Sequence, residues 1–262
     1  MSTIKFQLIS DLHLETPKAS PTYEDFEIQP QCKYLALLGD IGNIEDPRLF
    51  TFLEDQLRQF EIVFYLLGNH EPFRMTMPQT KTVVRDFQQR ADKLHFAPGS
   101  LPGRFVFLDQ TRFDLTDSTT ALGCTLFSEI SSEQRQSVSI FCADFLEIED
   151  WIIDFHNAAH QSDLSWLNSQ VEEISRTEPH RKIVVFTHHS PTMLEAANNP
   201  RHLEDAKEVR SAFVTNLSNQ ACWKSENCDF VDPKMKRRIV TNQKGYRRSE
   251  LDTFDVLKVV TV

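Results

Sequence analysis

Four short apolar runs, each stopped by a polar residue able to bind a metal, constrain this chain more than any other feature. Ile4–Ile9 alternates and ends at Ser10-Asp11. Tyr34–Leu38 is almost wholly apolar and ends at Gly39-Asp40. Ile62–Leu67 ends at Gly68-Asn69, and Ile183–Phe186 ends at Thr187-His188. Continuous apolar runs this short suit strands buried on both faces. Between two of them, Pro47–Phe60 carries Leu49, Phe50, Leu53 and Leu57 at helical spacing, with Asp46 as N-cap and Pro47 at the first helical position. Leu164, Leu167, Val171 and Ile174 mark a second helix, with Ser162 or Asp163 as its cap. Alternation of strand and helix predicts an α/β fold with parallel pairing and helices on both faces. Phe105–Leu108, Phe113–Leu115 and Thr119–Phe127 follow at close spacing and predict a second, antiparallel sheet. Cys228–Val231, Arg237–Thr241 and Phe254–Val260 predict a terminal meander. The expected architecture is two facing sheets with outer helices, forming one domain over residues 1–262.

Composition narrows the function classes. The chain holds 28 basic and 38 acidic side chains, a net charge of −10. An acidic chain is repelled by phosphate-rich surfaces, which weighs against a nucleic-acid or membrane binder. No run of about 18 apolar residues is present to span a bilayer. The N-terminal stretch does not read as a signal peptide. Five cysteines, an odd number, predict reduced thiols and a cytoplasmic location. Lys234–Arg238 is a basic cluster; it reads as a solvated hairpin turn, with nuclear import as the other reading.

The polar stops carry the chemistry. The first run supplies Asp11 and His13, whose i, i+2 spacing predicts side chains on one side of an extended chain. The second supplies Asp40, the third Asn69 and His70, and the fourth His188 with His189 beside it. Ligands of open α/β sheets bind beyond the carboxyl ends of the strands. Gly39 and Gly68 precede two of these residues, where the chain turns sharply and must come close to the site. Taken singly, each residue has an ordinary reading: an aspartate or asparagine after a strand is a turn or cap residue, and a histidine is a hydrogen-bonded core imidazole. The same event on four strands of one chain points instead to a shared site. Its mixed oxygen and nitrogen donors suit Mn, Fe or Zn.

Asp11-Leu12-His13, Gly39-Asp40, Gly68-Asn69-His70-Glu71 and Thr187-His188-His189 resemble the successive motifs of calcineurin-like metallophosphoesterases, from Ile4 to about Tyr246. The resemblance implies a two-sheet, four-layer αββα sandwich with two divalent metal ions. It implies that Asp11 and His13 bind the first ion, that Asp40 bridges the two, and that Asn69 and His188 bind the second. Such a pair clamps the attacking and leaving oxygens of an in-line displacement at phosphorus. The resemblance gives His70 the leaving group, as an imidazolium that protonates or stabilises the departing oxygen. Glu71 is expected to orient a ligand or imidazole, and His189 to support a ligand or face the substrate. The resemblance implies a phosphomonoester or phosphodiester as the substrate.

The pattern departs from the family at its last motif. The family closes its metal set with Gly-His-x-His after a strand, and this sequence has none. The last histidine, His202, stands in a polar stretch, and Ser218–Glu226 lacks histidine and glycine. Two readings stay open: a metal-dependent phosphoesterase weakened by the missing motif, and a catalytically inactive scaffold that binds a partner or phosphate ligand. Three further features stand outside the motifs. Phe73 and Trp223 are aromatic residues for core packing or for stacking on a base. Phe145–Asp154, apolar and acidic together, is an amphipathic surface element, a lid or a docking face.

Overall fold

The computed structural model of the protein describes residues 3–95, 101–194, 198, 208–224, 239–245 and 253–262. The chain divides into two compact units, one formed by Met1–Phe107, Glu147–Asp150 and Asn242–Val262, the other by Leu108–Leu146 and Trp151–Thr241.

The first unit is built on β1 (Lys5–Ile9), β2 (Tyr34–Leu38), β3 (Ile62–Leu66), β4 (Arg104–Phe107) and β8 (Val259–Thr261), in the spatial order β4-β3-β2-β1-β8. β1 to β4 are parallel, with Phe6 opposite Tyr34, Tyr34 opposite Ile62 and Ile62 opposite Arg104. Their carboxyl ends therefore share one edge of the sheet. Leu35, Ala36 and Leu37 of β2 and Val63, Phe64, Tyr65 and Leu66 of β3 are wholly buried, so side chains on both faces of the sheet are covered. Full burial of each such side chain is worth roughly 1.5–3 kcal/mol.

Local signals placed α1 (Pro47–Gln59) correctly. The Asp46 carboxylate accepts the Arg48 N–H as an N-cap, proline occupies the first turn, and Leu49, Phe52, Leu53 and Leu57 face inward. Two expectations for this unit are corrected. The run at Phe105 does not join the second sheet; it is β4, parallel to β3. The reason is α2 (Met77–His95), a helix between β3 and β4 that the sequence reading left out. Its buried stripe of Met77, Thr80, Val84, Phe87 and Ala91 is diluted by polar neighbours, and a helical crossover returns the chain parallel to the strand it left. At the far end, Phe254–Val260 contracts to β8, which pairs antiparallel with β1 at the sheet edge, Phe6 opposite Val260. The other two meander strands fall largely, and Lys234–Arg238 and His202 wholly, outside the described residues.

The second unit holds β5 (Thr111–Thr116), β6 (Thr119–Gly123) and β7 (Lys182–Phe186), in the order β5-β6-β7. β5 and β6 form an antiparallel hairpin; β7 is parallel to β6, from Thr119 opposite Lys182 to Gly123 opposite Phe186. The expected strand to Phe127 stops at Gly123, because Leu126 and Phe127 take left-handed backbone with φ of 71° and 48°. Between β6 and β7 come α3 (Arg135–Phe141), α4 (Asp144–Glu147) and the long α5 (Ile153–Thr177). α5 begins ten residues before the expected Asp163 cap. Asp163 is instead a buried residue inside the helix whose carboxylate accepts the Leu126 N–H and the Gln110 amide, both at 2.8 Å. A tertiary partner, not a helix end, accounts for the acid there. Leu164, Leu167, Val171 and Ile174 form the core of this unit with Leu122, Ile183, Leu217 and Trp223.

Phe145–Asp154 is not one amphipathic element, since α4 ends and α5 begins within it. Ile148 and Ile153 are buried, while Leu146 and Ile152 lie at the surface. The chain is thus α/β with two sheets and accompanying helices. Among the described residues no helix is long and apolar enough to cross a membrane. Cys32, Cys124, Cys142 and Cys222 are free thiols.

Candidate metal centre

β1, β2 and β3 are adjacent and parallel, so the polar residues after them meet at one sheet edge. The turns are locked by backbone bonds: Asp11 N–H donates to Gly39 O at 3.0 Å, and His13 N–H to Asp40 O at 2.9 Å. Asp11, His13 and Asp40 all lie in the left-handed region, with φ of 55°, 48° and 53°. Asp and His tolerate this better than most residues, and such strain gathers at functional sites. Asp11 and His13 therefore do not share one side of an extended chain, as their spacing predicted; two tight left-handed turns aim them separately. Residues 242–245 run alongside, with Lys244 N–H on Ser10 O and Gly245 N–H on Asp11 O.

One oxygen and two nitrogens converge. Nitrogens of His13 and His70 and a carboxylate oxygen of Asp40 all lie within 4.8 Å of one another. His13 Nε2 is 3.7 Å and His70 Nε2 4.0 Å from Asp40 Oδ2. The other oxygen of Asp40 accepts the His70 backbone N–H at 2.9 Å. The His70 ring rests on Phe73 with centroids 4.3 Å apart, so Phe73 packs against an imidazole. Asn69 is buried in the same turn.

Two buried glutamates organise these groups. Glu71, with no exposed surface, accepts Asp40 N–H at 3.0 Å and Gly68 N–H at 2.8 Å on Oε2. Its Oε1 accepts Ile41 N–H at 2.8 Å and the Tyr65 hydroxyl at 3.3 Å. It thus ties the Gly-Asp turn to the Gly-Asn-His-Glu turn through the backbone. Burial and then the Glu71 charge keep the Tyr65 hydroxyl well above its usual range, so it stays a donor. Gly68 has no room for a side chain: a Cβ there would lie 2.2 Å from Asp40 Oδ1 and 2.6 Å from Asp40 N. The second glutamate, Glu15, was not singled out from sequence. Its Oε1 lies 3.2 Å from His13 Nδ1 and 3.4 Å from His70 Nδ1. Burial raises its carboxyl, but the hydrogen bonds and charges of the two imidazoles outweigh this and hold it below the ordinary carboxylate range. The i, i+2 spacing of His13 and Glu15 was the available signal, since a carboxylate near a histidine ligand orients it.

In the second unit, His188 and His189 follow β7. Both backbone N–H groups donate to Thr125 O, at 3.3 and 3.2 Å. His189 is buried beside Phe127 and His156 in an aromatic cluster. Three residues on one face of α5 brace the loop after β6: His156 accepts the Ser128 N–H, His160 Nδ1 meets Leu126 O at 2.9 Å, and Asp163 accepts the Leu126 N–H. Burial, then the neighbouring His160, pushes His156 down to about 3, so it stays neutral. Where the family's last motif would stand, Ala221–Lys224 forms a helical turn, with Cys222 and Trp223 in the core.

The donor set fits a divalent cation. Buried charges are paired or coordinate a metal, and the buried Asp40 carboxylate has the imidazoles of His13 and His70 beside it.

Residues 4–217 match the family model of calcineurin-like phosphoesterases. An uncharacterised protein, L509, of Acanthamoeba polyphaga mimivirus is 26% identical over 198 residues, covering 70% of this chain and 66% of that protein. The chain thus spans just under two thirds of that relative's length. The crystal structure of phosphopantetheinyl hydrolase (PptH) from Mycobacterium tuberculosis shares the fold, with a TM-score of 0.56 and 15% identity over 86% of this chain and 79% of that one. The chain belongs to the calcineurin-like phosphoesterase family.

Proposed function

We propose that the protein is a metal-dependent phosphoesterase acting on a phosphomonoester or phosphodiester. The observation that carries this reading is the convergence of His13, Asp40 and His70 at the carboxyl edge of a parallel sheet, braced by two buried glutamates. By the resemblance of its motifs, two divalent ions, Mn, Fe or Zn, would be held here, one by Asp11, His13 and Asp40 and the other by Asp40, Asn69 and His188. Each ion then has three protein ligands, a number on which catalytic metal sites work. When bound, such ions supply Lewis-acid activation of water and charge neutralisation on the phosphoryl oxygens.

The remaining work falls to this chain's residues. Asp40, fixed by Glu71 through its own N–H, keeps its carboxylate at the centre of the site. His70 turns Nδ1 to Glu15 and Nε2 to the site, so a proton on Nε2 is the one delivered to the leaving oxygen. Glu15 stabilises the imidazolium that makes this transfer. The net charge of −10 weighs against a nucleic-acid substrate, and the free thiols fit a reducing, cytoplasmic compartment.

The test is metal content together with hydrolysis. Purified protein is expected to bind about two equivalents of Mn, Fe or Zn, and to hydrolyse p-nitrophenyl phosphate or its bis-ester in a metal-dependent way. Asp40→Ala should lose both. Metal-replete, folded protein that hydrolyses no faster than Asp40→Ala would leave a non-catalytic role as the correct reading.

A further inference from the structure

The Glu15 carboxylate faces two imidazoles, one the expected metal ligand and the other the expected acid. We propose that Glu15 is a shared positioning residue that fixes His13 and His70 in the same tautomer and links metal binding to proton delivery. This rests on the phosphoesterase reading for His70, but not for His13.

The geometry is specific. Glu15 is buried, and one of its oxygens, Oε1, meets both Nδ1 atoms, at 3.2 and 3.4 Å. Its other oxygen has no hydrogen-bond partner, so among the described residues the two imidazoles are what the carboxylate engages. An acceptor on Nδ1 requires the proton there. The lone pair, or a second proton, then belongs to Nε2, and both Nε2 atoms face Asp40 Oδ2, at 3.7 and 4.0 Å. The rings meet edge to face with centroids 4.6 Å apart, so neither can turn without meeting the other. Which histidine nitrogen binds a metal is set by the hydrogen bond made by the other nitrogen. Here a single oxygen makes that choice for two rings. His13 then presents the Nε2 lone pair to an ion on the Asp40 side, and His70 presents Nε2 as the atom that exchanges a proton with substrate.

The experiment uses the full chain without metal, then with Mn²⁺. Long-range ¹H–¹⁵N spectra read the imidazole tautomers, titration calorimetry reads Mn²⁺ affinity, and steady-state kinetics separate kcat from KM. In the wild type both rings should be Nδ1–H tautomers. Glu15→Met removes the acceptor at similar volume. It should scramble the tautomers and weaken Mn²⁺ binding about 10–100-fold, the usual effect of losing a carboxylate partner of a ligand histidine. kcat should fall with little change in KM. Glu15→Gln keeps the Oε1 acceptor and loses the charge, so it should retain the tautomers and fall between the two proteins in affinity and kcat. Should Glu15→Met fail to fold, Glu15→Gln decides on the same readouts. Wild-type tautomers and wild-type Mn²⁺ affinity in folded Glu15→Met, or wild-type affinity and kcat in Glu15→Gln, would overturn the proposal. No hydrolysis in any form, with tautomers and affinity responding as expected, would overturn the phosphoesterase reading and support the positioning role.

Discussion

Glu71→Gln is the sharpest probe of how this site is held. The wild-type carboxylate accepts four hydrogen bonds in a position with no exposed surface, three of them from backbone N–H groups. An amide has one acceptor oxygen. Its best placement keeps that oxygen toward Asp40 N and Gly68 N, and turns the new NH2 group toward Ile41 N and the Tyr65 hydroxyl. The hydroxyl can rotate to accept; the Ile41 N–H cannot. One buried donor is left unsatisfied at roughly 1–3 kcal/mol, and the two surviving bonds lose their charge assistance at about 0.5–1 kcal/mol each. The expected loss is about 2–5 kcal/mol, a large share of the ~5–15 kcal/mol that holds most domains folded. Glu71→Ala orphans all four donors and should not fold stably. Urea unfolding followed by circular dichroism measures the difference. A Glu71→Gln protein within about 0.5 kcal/mol of wild type at unchanged m-value would show that these bonds do not brace the two turns.

Gly68→Ala should lose stability and bind Mn²⁺ more weakly, by at least about tenfold, because its Cβ would lie 2.2 Å from Asp40 Oδ1 and 2.6 Å from Asp40 N and force both away; unchanged affinity by calorimetry would contradict the packing. His156 has its folded-state pKa lowered from 6.5 to about 3, so between those values the unfolded chain binds a proton that the folded one refuses. Stability is therefore fully present above pH 6.5 and falls on acidification by about 1.4 kcal/mol per pH unit. Urea unfolding between pH 6 and pH 4.5 should approach this slope in the wild type and show a shallower one in His156→Gln; equal slopes would refute it.

Local rules found what local physics decides. β2 and β3 were legible because strands covered on both faces must be apolar throughout, and β1 and β7 because their short apolar runs stop at a polar residue. The start of α1 was legible because Asp46 and Pro47 act within a single turn. The same rules failed where a partner distant in sequence decides. Phe105 reads as a strand of the second sheet from its spacing to Phe113, and α2 sets it parallel to β3 in the first. Asp163 passed for a cap because nothing near it in sequence shows the Leu126 N–H it binds. Likewise, the spacing of Asp11 and His13 assumed extended backbone, whereas the bonds to Gly39 and Asp40 hold both turns left-handed.

The sequence by itself determined the residue types of the metal centre and the strand ends that bear them, since donor chemistry and apolar runs are properties of short segments. Only the tertiary structure decided how those residues are aimed. Glu15 serves two imidazoles and Glu71 four donors because three strands bring their turns to one sheet edge, and Gly68 is required because Asp40 lies against it. The contacts of Glu15 with His70, of Glu71 with Asp40 and Ile41 and of Gly68 with Asp40 join segments some 28 to 55 residues apart, and they exist only once the parallel sheet has brought those segments together.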